Sequence, residues 1–482
     1  MKFKKVLAFS VALAVCMPVA TLNVLDDNTS SIVAYADIVD GDFKYSTNNN
    51  GTATITKYSG TSTDVVIPSE FTSEDGKVYS VTAIGMEAFN KNVAISTVTI
   101  PSSIKKISES CFSGCTALST VTFEEGSELT SLDNYAFAGC TSLESINLPN
   151  GLLTICGSAF YNCSTLRQID IPDTVTTIYS YAFAKCNKLK SITIPSSVTD
   201  ISSNVFSDCS RLASVKILGS PTLGESVFLN CTSLTDVDLG TTSAMGERIF
   251  GECTSLTTIT IPATIETIPE IAFSNCSALT TVNLNDGLVT ISERAFNKCT
   301  SLTNLTLPST LVSIQNYAFE NNASLKSIDI PEKVTTIGVC AFNGCDNLAS
   351  VTLPNSIKTI KGCAFANCPK ISTVTIPDSV TTIGSHAFGF TSKLVIGDEL
   401  LSATPVENFT IVGAVDSEAQ YYAEDNNLTF IDIASGEVPT PPVTPEEPSA
   451  DNFTNGVYCD VNGDGVANIV DLLLMKKYIL GM

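Results

Sequence analysis

Fourteen phenylalanines recur along this chain at nearly constant spacing: Phe89, Phe112, Phe137, Phe160, Phe183, Phe206, Phe228, Phe250, Phe273, Phe296, Phe319, Phe342, Phe365 and Phe388. Ten of the thirteen intervals are 23 residues, and the others are 25, 22 and 22. A fixed period of about 20–50 residues means that each unit buries its apolar face only against the units beside it. The chain therefore reads as a solenoid, and its function has to be sought on an elongated scaffold.

A full unit is Leu-x-x-Ile-x-Ile-Pro, a polar turn, Val-x-x-Ile, then Ala-Phe-x-x-Cys. Leu189, Ile192, Ile194, Pro195, Val198, Ile201, Phe206 and Cys209 show it complete. Ile192 and Ile194 alternate with Thr193, the period of a half-buried strand. Pro195 has no N–H for a ladder and marks where pairing ends. Val198 and Ile201 form a second apolar wall. The spacing Ala-Phe-x-x-Cys predicts a short helical or 3₁₀ segment. Parallel stacking at ~4.8 Å per coil predicts a rod of roughly 60 Å.

This pattern resembles the BspA-like branch of bacterial leucine-rich repeats over residues 83–396. The resemblance implies an α/β, right-handed leucine-rich-repeat solenoid with a parallel strand and a short helix or 3₁₀ segment per repeat. It also implies a surface or secreted protein that adheres to or binds an unidentified protein or glycan. Around Phe228 and Phe250 the units shorten, Ile-Pro gives way to Ile217-Leu218 and Leu239-Gly240, and Gly219, Pro221 and Gly246 interrupt the second wall. That segment is either a drifted repeat or a kink that shapes a binding face.

Eleven of the 17 cysteines stand three residues after a repeat Phe: Cys115, Cys140, Cys163, Cys186, Cys209, Cys231, Cys253, Cys276, Cys299, Cys345 and Cys368. Asn92, Asn322 and Thr391 fill the slot elsewhere. These are small residues able to bond a turn's backbone, as a buried column requires. A ladder of reduced thiols is expected. Cys340 and Cys363 hold one equivalent slot in adjacent repeats and are the pair best placed for a bridge. Metal binding lacks a C-x-x-C pair, and His386 is the sole histidine. A secreted chain with this many thiols points to an anaerobic bacterial producer.

Residues 1–36 read as a secretory signal peptide. Lys2, Lys4 and Lys5 form the basic end, 6–15 the apolar stretch, and Ala34-Tyr35-Ala36 an A-x-A-like cleavage site. No later segment approaches the ~20 apolar residues of a membrane span. Residues 37–82 carry short strand patterns and form the expected N-terminal β cap. Residues 397–434 form the expected α/β C-terminal cap, with Asp416-Ser417 as the start signal for a helix over 418–425 and a strand after it.

Residues 435–450 are a proline-rich spacer. Residues 451–482 contain Asp460-Val-Asn462-Gly-Asp464-Gly-Val466-Ala-Asn468-Ile-Val-Asp471. Its oxygen donors fall at calcium-loop positions: Asp460, Asn462, Asp464 and Asp471 by side chain, Val466 by its carbonyl, Asn468 through water. Asp471 in place of Glu, no helix before the loop, and Leu472 with the Lys476-Lys477-x-Ile479-Leu480 ending resemble a dockerin repeat. The resemblance implies a small EF-hand-like α tail holding Ca²⁺ and docking a cohesin on a cellulosome-type scaffoldin. Its docking contacts would be Ile469, Val470, Leu473, Leu474, Lys476 and Lys477.

A formal charge of −23 disfavours nucleic acid and anionic membranes as partners. No Trp is present, which argues against a strong polysaccharide platform, although 13 Tyr remain. Outward strand positions form polar columns, where Arg167, Asp170, Lys190 and Lys216 make the most charged patch. Signal, caps, repeats, spacer and tail leave no span of catalytic-domain size. Paired glycosidase carboxylates and a Gly-x-Ser-x-Gly elbow find no support. The chain reads as a non-catalytic binding protein tethered by its tail, with a free surface adhesin or antigen, or a structural spacer of a surface complex, as the alternatives.

Overall fold

The computed structural model describes residues 38–397 and 399–435. A full coil supplies a first strand, a proline turn, a shorter second strand and a run of turns. The unit read from the sequence places Ser191–Ile194 and Asp200–Ile201 as its two strands. Between them the Pro195 carbonyl accepts the Val198 amide at 3.2 Å. The same turn follows Pro101, Pro149, Pro172, Pro262, Pro308, Pro331, Pro354 and Pro377. Proline ends the first strand because it has no N–H, and its carbonyl then closes the corner.

Second strands pair in parallel, in register, from Val78–Ile84 through Ala244–Met245, and again from Thr267–Ile268 through Thr382–Ile383. First strands form shorter parallel sheets on the adjoining face, such as Ser191–Ile194, Ser214–Ile217 and Asp236–Asp238. The break in the second-strand ladder falls at the end of the two shortened coils. A Cβ on Gly246 would lie 2.4 Å from the Gly224 carbonyl carbon, and Gly338 and Gly384 meet the same limit in 23-residue coils.

The expected helical or 3₁₀ segment at Ala-Phe-x-x-Cys is instead a run of turns. In the Phe206 coil, the amides of Asn204, Phe206 and Asp208 donate to the next coil, to Glu225, Val227 and Leu229. Those of Ser207 and Cys209 curl back to Asn204 and Phe206. A helix would use every amide within its own segment; here alternate amides run along the solenoid axis. The residues two before and two after the Phe take positive φ, as at Asn204 (61°) and Asp208 (60°). Asn, Gly and Ser recur there because they tolerate the left-handed region, beside Tyr, Lys, Arg, Glu and Cys. Ile271, at φ 60°, does not belong to that group.

The core is a column of rings. From Phe89 to Phe388 neighbouring centroids are 4.8–5.7 Å apart. The stack runs unbroken through the shortened coils. Beside it, each of the eleven ladder thiols donates to the Phe carbonyl of the coil before, at 3.1–3.4 Å. Asn322 makes the same bond to Phe296 at 2.9 Å, yet its own carbonyl oxygen is buried without a partner. A thiol brings one donor and little else to satisfy, which explains why cysteine recurs.

Both ends are closed. At the start, Ile38–Asp40, Phe43–Thr47 and Thr52–Tyr58 form an antiparallel sheet, and the Tyr58 ring stacks on Phe89 at 5.1 Å. At the far end, helix Glu418–Asp425 starts where the sequence signal places it. The Tyr422 hydroxyl accepts from the Phe388 amide at 2.9 Å and donates to its carbonyl at 2.8 Å, finishing the Phe column. Thr410–Gly413 and Thr429–Asp432 extend the first-strand ladder.

Candidate recognition faces

Strand alternation puts one residue of each first strand outward. Asn147 pairs with Asp170, Thr193 with Lys216, and Lys216 with Asp238. Asp170 and Lys216 are thus stations of one exposed column. Arg167 and Lys190 occupy equivalent sites at the strand entry, because the Lys190 amide donates to the Arg167 carbonyl at 3.4 Å. All four share one face. Arg167 also pairs with Glu144 at 3.3 Å, both half-exposed, so the contact is screened and weak. The face offers hydrogen-bonding groups and mixed charge on a flat surface.

The shifted carboxylates move in the direction of stable anions. A hydrogen bond from Ser73 lowers Asp75, one from Lys105 lowers Glu128, and the Ala434 amide lowers Asp432. A general acid needs the opposite shift. Among the described residues no group of three or more His, Cys, Asp or Glu could hold a metal ion, and no helix is long and apolar enough to cross a membrane.

The ladder thiols are chemically quiet. Burial pushes Cys115 up to about 11, and Cys163, Cys209 and Cys253 up to about 12. The thiolate is the reactive species, so these groups are poor nucleophiles. Cys340 and Cys363, the pair best placed for a bridge, lie buried in a small apolar cluster with Ala366, Phe390 and Leu400.

One feature of the turn face escaped the sequence reading. Tyr135 and Tyr181 stand two residues before their Phe, in alternate coils, and are 46% and 44% exposed. Aligning the repeats on Phe and reading the neighbouring column would have shown them. The calcium-loop residues Asp460, Asn462, Asp464, Val466, Asn468 and Asp471 lie outside the described residues. So do the docking residues Ile469, Val470, Leu473, Leu474, Lys476 and Lys477, and the leader.

The chain matches two family models and is similar to several solved structures. The BspA type leucine rich repeat region matches over residues 77–189, 153–280, 266–395 and 312–428, and the dockerin type I domain over 449–481. A leucine-rich repeat protein from Bacteroides ovatus is 26% identical, covering 72% of this chain and 100% of its own, with a TM-score of 0.47. A leucine rich cell surface protein from Faecalibacterium prausnitzii is 25% identical over 66% of this chain and 94% of its own, at 0.42. The pneumococcal vaccine antigen PcpA is 23% identical over 82% of this chain and 97% of its own, at 0.48. No curated protein matches the chain.

Proposed function

We propose, from the premise that this chain belongs to the BspA-type leucine-rich-repeat family, that it is a secreted binding protein docked to a scaffoldin cohesin through a calcium-dependent tail. The repeats and the dockerin-type segment give it a protein-interaction, non-catalytic role. Proteins of both kinds are typically extracellular or surface-associated, which supports reading residues 1–36 as a leader.

The observation that carries the docking reading is the dockerin match over 449–481 together with its donor set. Asp460, Asn462, Asp464 and Asp471 are hard oxygen donors, and the Val466 carbonyl and an Asn468-held water complete a set suited to Ca²⁺ rather than to a softer metal. Bound calcium supplies a fixed turn. Ile469, Val470, Leu473, Leu474, Lys476 and Lys477 then form the docking face, and the proline spacer holds the solenoid clear of the assembly. On the solenoid, Arg167, Asp170, Lys190 and Lys216 are the charged part of the recognition face.

Capture of the full chain on an immobilised type I cohesin tests this. Binding is expected with calcium, lost in EDTA, and lost in Asp460→Ala and Asp471→Ala. Capture that persists in EDTA and in both variants contradicts it.

A further inference from the structure

Thirteen coils share a six-residue window, 94–99 through 370–375, that runs from the residue before the buried Leu or Ile to the outward position of the first strand. These windows hold seven basic residues, and five fall in three successive coils: Arg167, then Lys188 and Lys190, then Arg211 and Lys216. The Lys190 amide donates to the Arg167 carbonyl at 3.4 Å and the Ala213 amide to the Lys190 carbonyl at 2.8 Å, so the three coils are stacked directly on one another. Lys188 and Arg211 precede the buried Leu189 and Leu212 and turn outward beside that column, while Lys216 pairs in register with Thr193. Arg167, Lys190, Arg211 and Lys216 are exposed, and Lys188 is half-exposed. Among the described residues Arg167 pairs with Glu144, and the other four have no ion-pair partner. Like charges on neighbouring strands oppose folding. Packing therefore gives no reason for this cluster in a chain of net −23.

We infer that this cluster docks a short run of aspartate and glutamate in an extended segment of a partner protein. Its neighbours set the length of that run. Glu144 stands in the coil before, and Asp236 and Asp238 stand in the coil after, where Asp238 pairs in register with Lys216. The cationic stretch thus spans two coil steps, of 5.4 and 5.7 Å on the Phe column. An extended segment covers that length with about three or four residues at ~3.3 Å each. A long polyanion lying along the solenoid would run onto the carboxylates at either end. Gln168, Ser191 and Ser214 lie on the same strands and add amide and hydroxyl donors for the segment's carbonyl groups. One exposed ion pair is worth little. Five cations this close act as one field on an acidic run, which speeds encounter and fixes register.

This inference deepens the reading of the first-strand face as the recognition face and rests on it, but not on the tail. Biolayer interferometry of the full chain on an immobilised hexaglutamate peptide is expected to show binding at about 50 mM salt that weakens about tenfold or more at about 500 mM. Lys188→Glu combined with Lys190→Glu should weaken it about tenfold or more. Lys326→Glu combined with Lys370→Glu reverses the same amount of charge on the same face outside the cluster, and should leave binding within about twofold. If the first reversal fails to fold, Lys188→Gln with Lys190→Gln replaces it, with a loss of about threefold or more expected. No binding at millimolar protein, equal loss in the two reversed pairs, full affinity without Lys188 and Lys190, or tighter capture on heparin as a long sulfated polymer overturns the proposal. Calcium-dependent cohesin capture retained beside such a result would leave the docking reading standing.

Discussion

The buried and outward columns of this solenoid run parallel, yet they obey different rules. Inside, Phe repeats fourteen times, and the thiol beside it gives way to Asn322 only at a cost in unmet hydrogen bonding. Outside, the first-strand column passes through Asn147, Asp170, Thr193, Lys216 and Asp238 within five coils. An inner residue must fit the coils above and below, so its identity is dictated by stacking. An outer residue meets solvent, so its identity is free to encode recognition. Stability therefore lies in the repetition and specificity in its absence.

The largest test of that contrast is alkaline titration. Four ladder thiols have folded pKa values raised by burial, to about 11 for Cys115 and about 12 for Cys163, Cys209 and Cys253, against 9.0 as the unperturbed value. Above pH 9 the unfolded chain binds fewer protons than the folded one. Stability contributed by the thiols is thus whole below that point and lost as pH rises through the folded values. By pH 10 the loss should approach ~1 kcal/mol for each of these four thiols, about 4 kcal/mol together. Denaturant melts at pH 8 and 10 measure it; equal midpoints would remove the asymmetry between inner and outer columns.

Single substitutions sharpen it. Phe206, between Phe183 at 5.4 Å and Phe228 at 5.7 Å, should lose about 3–5 kcal/mol on Phe206→Ala. Lys216→Ala, one turn outward, should stay within about 0.5 kcal/mol. Urea unfolding of the pair decides whether the columns differ as described. At the cap, Tyr422→Phe leaves both polar groups of Phe388 without the hydroxyl they share. About 1–3 kcal/mol should be lost there, with faster hydrogen exchange confined to the last coils. Opposite in sign, Ile271→Asn should stabilise by about 1 kcal/mol, since it relieves a β-branched residue at positive φ.

Much of the solenoid was legible because burial repeats. The strand Ser191–Ile194, the stop at Pro195 and the helix over Glu418–Asp425 all follow from local patterns. The thiol ladder followed from size and hydrogen-bonding need at one slot. The Ala-Phe-x-x-Cys segment misled because i, i+3 spacing fits a turn as well as a helix. The partner of each alternate amide lies a whole coil away, where local spacing carries no information. The charged group Arg167, Asp170, Lys190 and Lys216 was legible as a shared face. The exposure of Tyr135 and Tyr181 was not, since no motif marks that column.

The central claim, that identical coils shield one another around a reduced thiol column, is tested most directly by native alkylation followed by peptide mass mapping. Treated with iodoacetamide at pH 8 in the folded state, the eleven ladder cysteines should stay unmodified and carry no disulfide, and all should react together once denaturant unfolds the chain. Ladder thiols that react in the folded protein at independent rates, or that are found joined in pairs, would contradict it.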